Sequence, residues 1–217
     1  KNAGVVRDIP ELGISTTNVH RNMHAEYCDR PYSWNKEFEH DGNKHILIIG
    51  NSFGRDWANI LYEWDDSLDL SYIYYPKKSL QEYSDRIKIA DIVFYAMGPD
   101  YEGVPAEIQE LIGQEKLFII GNKNFGESNG IIYAKRNSET YFNQTVEVPL
   151  DLIIQNEQSI ALYNDHYVDM IEVVRVGDRQ VRVFTDEQMF ISQDCKHLTQ
   201  AGAQFYAERI DIGALLD

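Results

Sequence analysis

Basic side chains are scarce in this chain. Twenty lysines and arginines stand against thirty-five aspartates and glutamates, a formal charge of −15, which repels a nucleic-acid backbone and an anionic membrane surface alike. Long apolar stretches are missing as well. The longest, such as "HILIIG" and "KLFIIG", are strand-sized and fall far short of the roughly 18 to 20 residues that a membrane-spanning helix needs. There is no low-complexity tract and no internal repeat, so neither a disordered chain nor a solenoid is expected. Cysteine is limited to Cys28 and Cys195; two thiols permit one disulfide without requiring it, and they make no disulfide framework. The first residues do not read as a signal peptide, and the abrupt start at Lys1 is expected of a piece processed or excised from a longer protein.

What remains is an ordinary globular composition, 43% hydrophobic, in 217 residues. That length suits one large α/β domain better than two small ones. Residues 1–44 carry scattered Pro, Gly, His and Asn with little periodicity and read as an extended arm packed on a domain spanning 45–217. From His45 the pattern regularises. "HILIIG" is a continuous apolar run closed by glycine, as a strand buried on both faces should be. Trp57, Ile60, Leu61 and Trp64 then recur at the spacing of one helix face. Strands are expected at "LSYIYY", "DIVFYAM" and "KLFIIG", with helices at "SLQEYSDRIKIA" and "PAEIQELIG" between them. This alternation predicts a central parallel five-stranded sheet with helices on both faces, and a ligand site outside the carboxyl ends of its strands. Residues 122–158 read as a long irregular region, "YVDMIEVV" as the fifth strand, "RQVRVFTDEQMFI" as a short hairpin, and "TQAGAQFYAERIDIGALL" as a closing helix with Thr199 as its N-cap.

Ser52 stands where the first strand breaks into the first helix. A hydroxyl there is exposed beside free backbone N–H groups, which suits a nucleophile whose reaction builds an oxyanion. Serine is a poor nucleophile unaided and needs a histidine base with an acid to orient it. Of the six histidines, His20 and His24 are spaced for a metal but lack a third ligand, His40 and His45 flank the first strand as surface or edge residues, and His166 reads as a loop residue. His197 differs: in "SQDCKHLTQAGA" it follows Asp194 by three residues and precedes the last helix, so one loop brings both acid and base to the sheet edge. Arg55 and Asp56 read as a solvated or locally paired helix start, Trp57 and Trp64 as core, "EWDDSLD" as a solvated turn, and Cys195 as a packing or pairing residue.

"IIGNSF" and "DCKHLTQAGA" resemble the first and last blocks of the SGNH/GDSL hydrolase superfamily. With the "GVVRDIPELGI" arm they are most similar to the SGNH domains fused behind membrane acyltransferase-3 domains, whose proteins O-acetylate bacterial cell-surface polysaccharides. The resemblance implies a three-layer, flavodoxin-like α/β domain over roughly residues 45–210. It also implies Ser52 as nucleophile and first oxyanion donor, His197 as general base and Asp194 as the residue orienting it. Asn51 replaces the family's usual aspartate, no glycine follows the second strand, and "AMGPDYE" offers Gly98 and Asp100 but no asparagine. Gly98 N–H is therefore the candidate second oxyanion donor, with Asn122 or Asn124 as substitutes; the plain alternatives are a turn glycine and two polar loop residues. The expected activity is O-acetylation of a carbohydrate through an acyl-serine, with no cofactor and no metal. The expected partners are an acyl donor and a carbohydrate acceptor, no nucleic acid, and a covalently linked upstream membrane acyltransferase-3 domain, which places the chain on the extracytoplasmic side. A free-standing carbohydrate esterase or deacetylase would use the same residues, and a catalytically silent carbohydrate-binding module is the third reading.

Overall fold

A computed structural model of the protein describes residues 23–39, 42–76, 79–96, 98, 103–127, 137–192 and 194–217. The order of elements is α1 (Met23–Asp29), a 3-10 turn (Arg30–Trp34), β1 (His45–Gly50), α2 (Ser52–Trp64), β2 (Asp69–Tyr74), α3 (Ser84–Ile89), β3 (Ile92–Ala96) and α4 (Ala106–Leu111). The chain continues with β4 (Leu117–Ile120), β5 (Thr145–Glu147), α5 (Leu150–Tyr163), β6 (Tyr167–Val168), β7 (Gln180–Arg182), α6 (Gln200–Ala207) and α7 (Ile212–Leu216).

Five strands form one parallel sheet in the order β2-β1-β3-β4-β6, an order compatible with a flavodoxin-like fold. β1 lies inside it, with Ile46 opposite both Leu70 and Ile92. Because neighbours in a strand point to opposite faces, the apolar run of β1 feeds two cores. Ile46 and Ile48 pack with Phe94, Trp57 and Leu61 on one side and with Ala203 and Tyr206 of α6. Leu47 and Ile49 pack with Val93, Leu80, Ile87 and Ile108 on the other. Fully burying side chains such as Trp57, Ile60 and Leu61 contributes about 1.5–3 kcal/mol each, and all three are at 0% exposure. That is why α2, with its single apolar face, docks where it does.

Several elements differ from the sequence reading. Residues 23–34, expected to be part of an extended arm, form α1 and the 3-10 turn. Arg30 holds them to α2 through hydrogen bonds to Asn59 Oδ1 (2.9 Å) and Glu63 Oε1 (3.4 Å). The irregular region ends in a 14-residue helix, α5. Its apolar side chains do not share a face: Ile153 is buried, while Leu150, Ile154, Ile160 and Leu162 are exposed, so no helical period stood out. The fifth strand is only two residues long. Asp169 stops it, since its Oδ1 accepts from Ile171 N–H and Glu172 N–H, both at 3.0 Å, and bends the chain into a turn. Of the expected hairpin, a tight turn closes between Phe184 and Phe190, but β7 pairs antiparallel with the distant β5. The closing helix is two helices, and Thr199 does cap the first, its Oγ1 accepting from Gly202 N–H at 2.9 Å. Trp64, expected in the core, is 40% exposed at the end of α2. No helix among the described residues is long and apolar enough to cross a membrane.

Candidate active site

The turn that carries Ser52 is shaped by its neighbours. A Cβ on Gly50 would lie 2.0 Å from the Ala96 carbonyl oxygen, so only glycine lets β1 run that close to the end of β3. Asn51 is the N-cap of α2; its Oδ1 accepts from Phe53 N–H at 3.0 Å. Asparagine at this position thus performs the capping work that an aspartate would perform. Tyr72 donates its hydroxyl to the carbonyls of Gly50 (3.1 Å) and Asn51 (2.9 Å), pinning the turn from β2. Ser52 is the first residue of the helix, so its N–H belongs to the group that has no intrahelical partner.

His197 reaches this turn from the other end of the chain. Its Nε2 is 2.7 Å from Ser52 Oγ, and its Nδ1 is 2.7 Å from Asp194 Oδ2. The other carboxylate oxygen of Asp194 accepts from the backbone N–H of His197 (2.8 Å) and of Lys196 (3.1 Å). Partial burial works to raise the Asp194 carboxyl, but the bonds from the His197 ring, the His197 N–H and the Lys196 N–H outweigh it and hold the group down at about 2. Near neutral pH the carboxylate is therefore ionised and can only accept. The proton of a neutral His197 ring then sits on Nδ1, which leaves Nε2 as the acceptor for Ser52 Oγ–H. Hydrogen bonding and charge alone thus produce the tautomer that a general base needs.

The loop that carries Asp194 and His197 is closed on itself. Ser192 Oγ donates to the His197 carbonyl at 2.7 Å, and Ser192 and Leu198 form a bridge. Thr199 N–H donates to the Ile191 carbonyl at 3.0 Å. Cys195 adopts φ +70° inside this turn and its side chain is buried; its carbonyl accepts from Phe125 N–H at 2.9 Å, tying the loop to the segment after β4. Cys28 is buried too, donates to the Leu198 carbonyl at 3.6 Å and forms no disulfide with Cys195. Burial pushes its thiol up to about 12, far from the thiolate that nucleophilic attack would require.

The three oxyanion candidates fall in different places. Gly98 is buried against the ring of Phe53, the residue after the serine; a Cβ there would lie 2.7 Å from the ring. Asn122 turns toward α5, donating Nδ2 to Gln155 Oε1 at 3.2 Å. The cavity it lines with Gly121, Gln155 and Tyr167 includes neither Ser52 nor His197. Asn124 Oδ1 accepts from Gly126 N–H at 2.9 Å, one residue before the Phe125 bond to Cys195. The His20 and His24 side chains, His40 and Asp100 lie outside the described residues, and among the described residues no group of three His, Cys, Asp or Glu is placed to hold a metal.

Of the expected solvated or locally paired helix start, the pairing is found and the solvation is not: Arg55 and Asp56 are 8% and 1% exposed, and Arg55 faces Asp56 at 3.5 Å and Asp29 at 3.1 Å. Lys123, which the sequence reading passed over, is 4% exposed and pairs with Asp56 at 2.9 Å. A helix-start "RD" looks like surface in any sequence, and only the fold brings the lysine to it. The acidic run after α2 is a turn as expected, with Asp65 Oδ1 accepting from Ser67 N–H and Oγ–H, but Asp69 at its end is buried. No family model matches the chain, and no curated protein matches it either.

Proposed function

We propose that the chain is a serine acyltransferase domain of the SGNH type that moves an acetyl group onto a carbohydrate hydroxyl through an acyl-serine intermediate. The observation that carries this reading is the unbroken line Ser52 Oγ to His197 Nε2 and His197 Nδ1 to Asp194 Oδ2, with 2.7 Å at both links. A serine, a histidine in the base tautomer and an ionised acid, aligned at a helix N-terminus, are the parts that acyl transfer needs.

The steps follow from the proton positions. Ser52 Oγ attacks the acyl carbonyl carbon as His197 Nε2 takes the hydroxyl proton, and Asp194 stabilises the resulting imidazolium. The tetrahedral oxyanion is stabilised by Ser52 N–H, with Gly98 N–H as the candidate second donor. Collapse breaks the bond to the leaving group, which takes the proton from Nε2, and leaves acyl-Ser52. An acceptor hydroxyl then gives its proton to Nε2 and attacks the acyl carbon. Collapse frees the new ester, and Ser52 Oγ recovers the proton.

Water can take the acceptor's place, and one feature favours that second reading in the absence of a sugar. The Asp194 and His197 side chains are 47% and 23% exposed, so solvent reaches the acyl-enzyme, and an isolated chain is expected to hydrolyse small esters slowly. The resemblance of the two end blocks also supports a linked membrane domain as the acyl source and an extracytoplasmic setting. The direct test is to treat the protein with a fluorophosphonate, which traps activated serines, and to map the adduct by peptide mass spectrometry. A single adduct on Ser52, lost in H197A, is expected; an unlabelled protein would remove the serine mechanism.

A further inference from the structure

Behind the serine, histidine and aspartate lies a second set of charges that takes no part in the proton transfers. Asp56 stands four residues after Ser52 on α2, one turn along the same side and about 6 Å up the axis. Its Oδ2 accepts from the backbone N–H of Leu198 at 3.0 Å and pairs with Lys123 Nζ at 2.9 Å. Its Oδ1 faces Arg55 at 3.5 Å, and Arg55 pairs outward with Asp29 at 3.1 Å. Lys123 also lies over the Phe53 ring, 3.9 Å from its centroid. That ring meets His197 edge-on at 6.0 Å. One carboxylate therefore touches the three segments that must converge at the site: the helix of the serine, the loop after β4, and the turn carrying acid and base.

Such a pair is not explained by stability. Desolvating each ion costs several kcal/mol, and apolar replacements of similar size are often no worse. Burial pushes the Lys123 ammonium down from the usual lysine range, against the pull of Asp56. Geometry offers a better account. Leu198 directly follows His197, so the Asp56–Leu198 bond and the Ser52–His197 bond are two rungs between the same pair of segments. The first is buried; the second must stay open to substrate.

We infer that Asp56 is a positioning residue: by holding Leu198 N–H from the serine's own helix it sets the distance between His197 Nε2 and Ser52 Oγ, and Lys123 supplies the counter-charge that lets it do so in a buried place. The inference rests on the reading of Ser52 and His197 as nucleophile and base. A displacement of about 1 Å at such a pair can cost roughly 10²-fold in rate.

Two double variants separate the hydrogen bond from the charge. Both D56N/K123M and D56L/K123M lack the ion pair, but only the asparagine can accept from Leu198 N–H. Two readouts apply to each, beside circular dichroism for the fold: the rate of fluorophosphonate labelling at Ser52, and the low-field proton resonance of His197 Nδ1–H, which needs no activity. D56N/K123M is expected to label about threefold slower than wild type and to keep the resonance. D56L/K123M is expected to label about 30-fold slower or worse, with the resonance shifted or broadened. Equal labelling and equal resonances in the two folded variants would overturn the inference. Should D56L/K123M not fold, D56N/K123M decides: retention of label and resonance supports the hydrogen bond, and their loss in a folded protein overturns it. A wild-type protein that does not label at all refutes the nucleophile reading instead, and the resonance still tests the positioning.

Discussion

Replacing Asp194 by asparagine isolates the role of its charge, because the amide keeps the shape and has one acceptor oxygen where the carboxylate has two. The carboxylate serves three donors: two backbone N–H groups at Oδ1 and the His197 ring at Oδ2. An asparagine oxygen placed at the Oδ1 position keeps both backbone bonds and turns its NH₂ toward Nδ1. The opposite flip keeps only the ring bond and sets the NH₂ against two N–H donors. With each bond contributing about 0.5–1.5 kcal/mol, the first arrangement wins by at least one bond. It forces the ring proton onto Nε2, which then donates to Ser52 Oγ and cannot accept its proton. Activity toward an activated acetyl ester such as p-nitrophenyl acetate should fall by about 10³- to 10⁴-fold with little change in KM. Nitrogen NMR of the His197 ring should show the proton moved from Nδ1 to Nε2. A loss under tenfold, or an unchanged tautomer, would refute this reasoning and leave the ring oriented by something other than the Asp194 charge.

Other outcomes are expected from the same structure. S52A and H197A should each lower ester turnover by about 10⁴-fold or more without altering the circular dichroism, and the double variant should be no worse than either single one, since the two act as a unit; wild-type turnover in S52A would exclude the mechanism. Asp194, held at about 2 in the folded chain against about 3.9 unfolded, is a depressed carboxyl: its stabilisation is complete above about pH 4 and is lost as pH falls through 2. The stability gap between wild type and D194N, followed by urea unfolding, should therefore shrink between pH 4 and 2; a gap already closed at pH 5 would contradict the assignment. G50A puts a Cβ 2.0 Å from the Ala96 oxygen and should cost about 3 kcal/mol or more, read as a lower urea midpoint. The purified chain should not acetylate glycans from acetyl-CoA, because it has no Gly-rich phosphate loop and a charge of −15 repels the donor's phosphates; acetylated glycan in the mass spectrum would overturn this.

The parts of the fold that were legible in the sequence are those where burial writes a pattern. "HILIIG" and "KLFIIG" are apolar throughout because both faces of an inner parallel strand are covered, and Trp57, Ile60 and Leu61 mark the one face of α2 that meets them. The pairing of Asp194 with His197 was legible because they are three residues apart and make most of their contacts within one turn. The helix α5 was not, because its exposed Leu150, Ile154 and Leu162 break the period. The pairing of β5 with β7 was not, because it is set by where the fold carries those segments. Asp56 and Lys123 escaped for the same reason: each is an unremarkable charged residue until the chain closes around both.

The Ser52–His197 hydrogen bond joins positions 145 residues apart, while Asp194 and His197 find each other across three. During synthesis the ribosome delivers β1 and the serine first, then every other strand of the central sheet, and the histidine only afterwards. Contacts of such long sequence separation carry a loop-closure cost that slows their formation. On the proposed mechanism, an unfinished chain ending anywhere before residue 194 carries the hydroxyl without the histidine that would activate it, so reactivity is expected only once the sheet is complete. In refolding, recovery of labelling at Ser52 is then expected to lag behind the burial of Trp57, making the serine a reporter of finished topology.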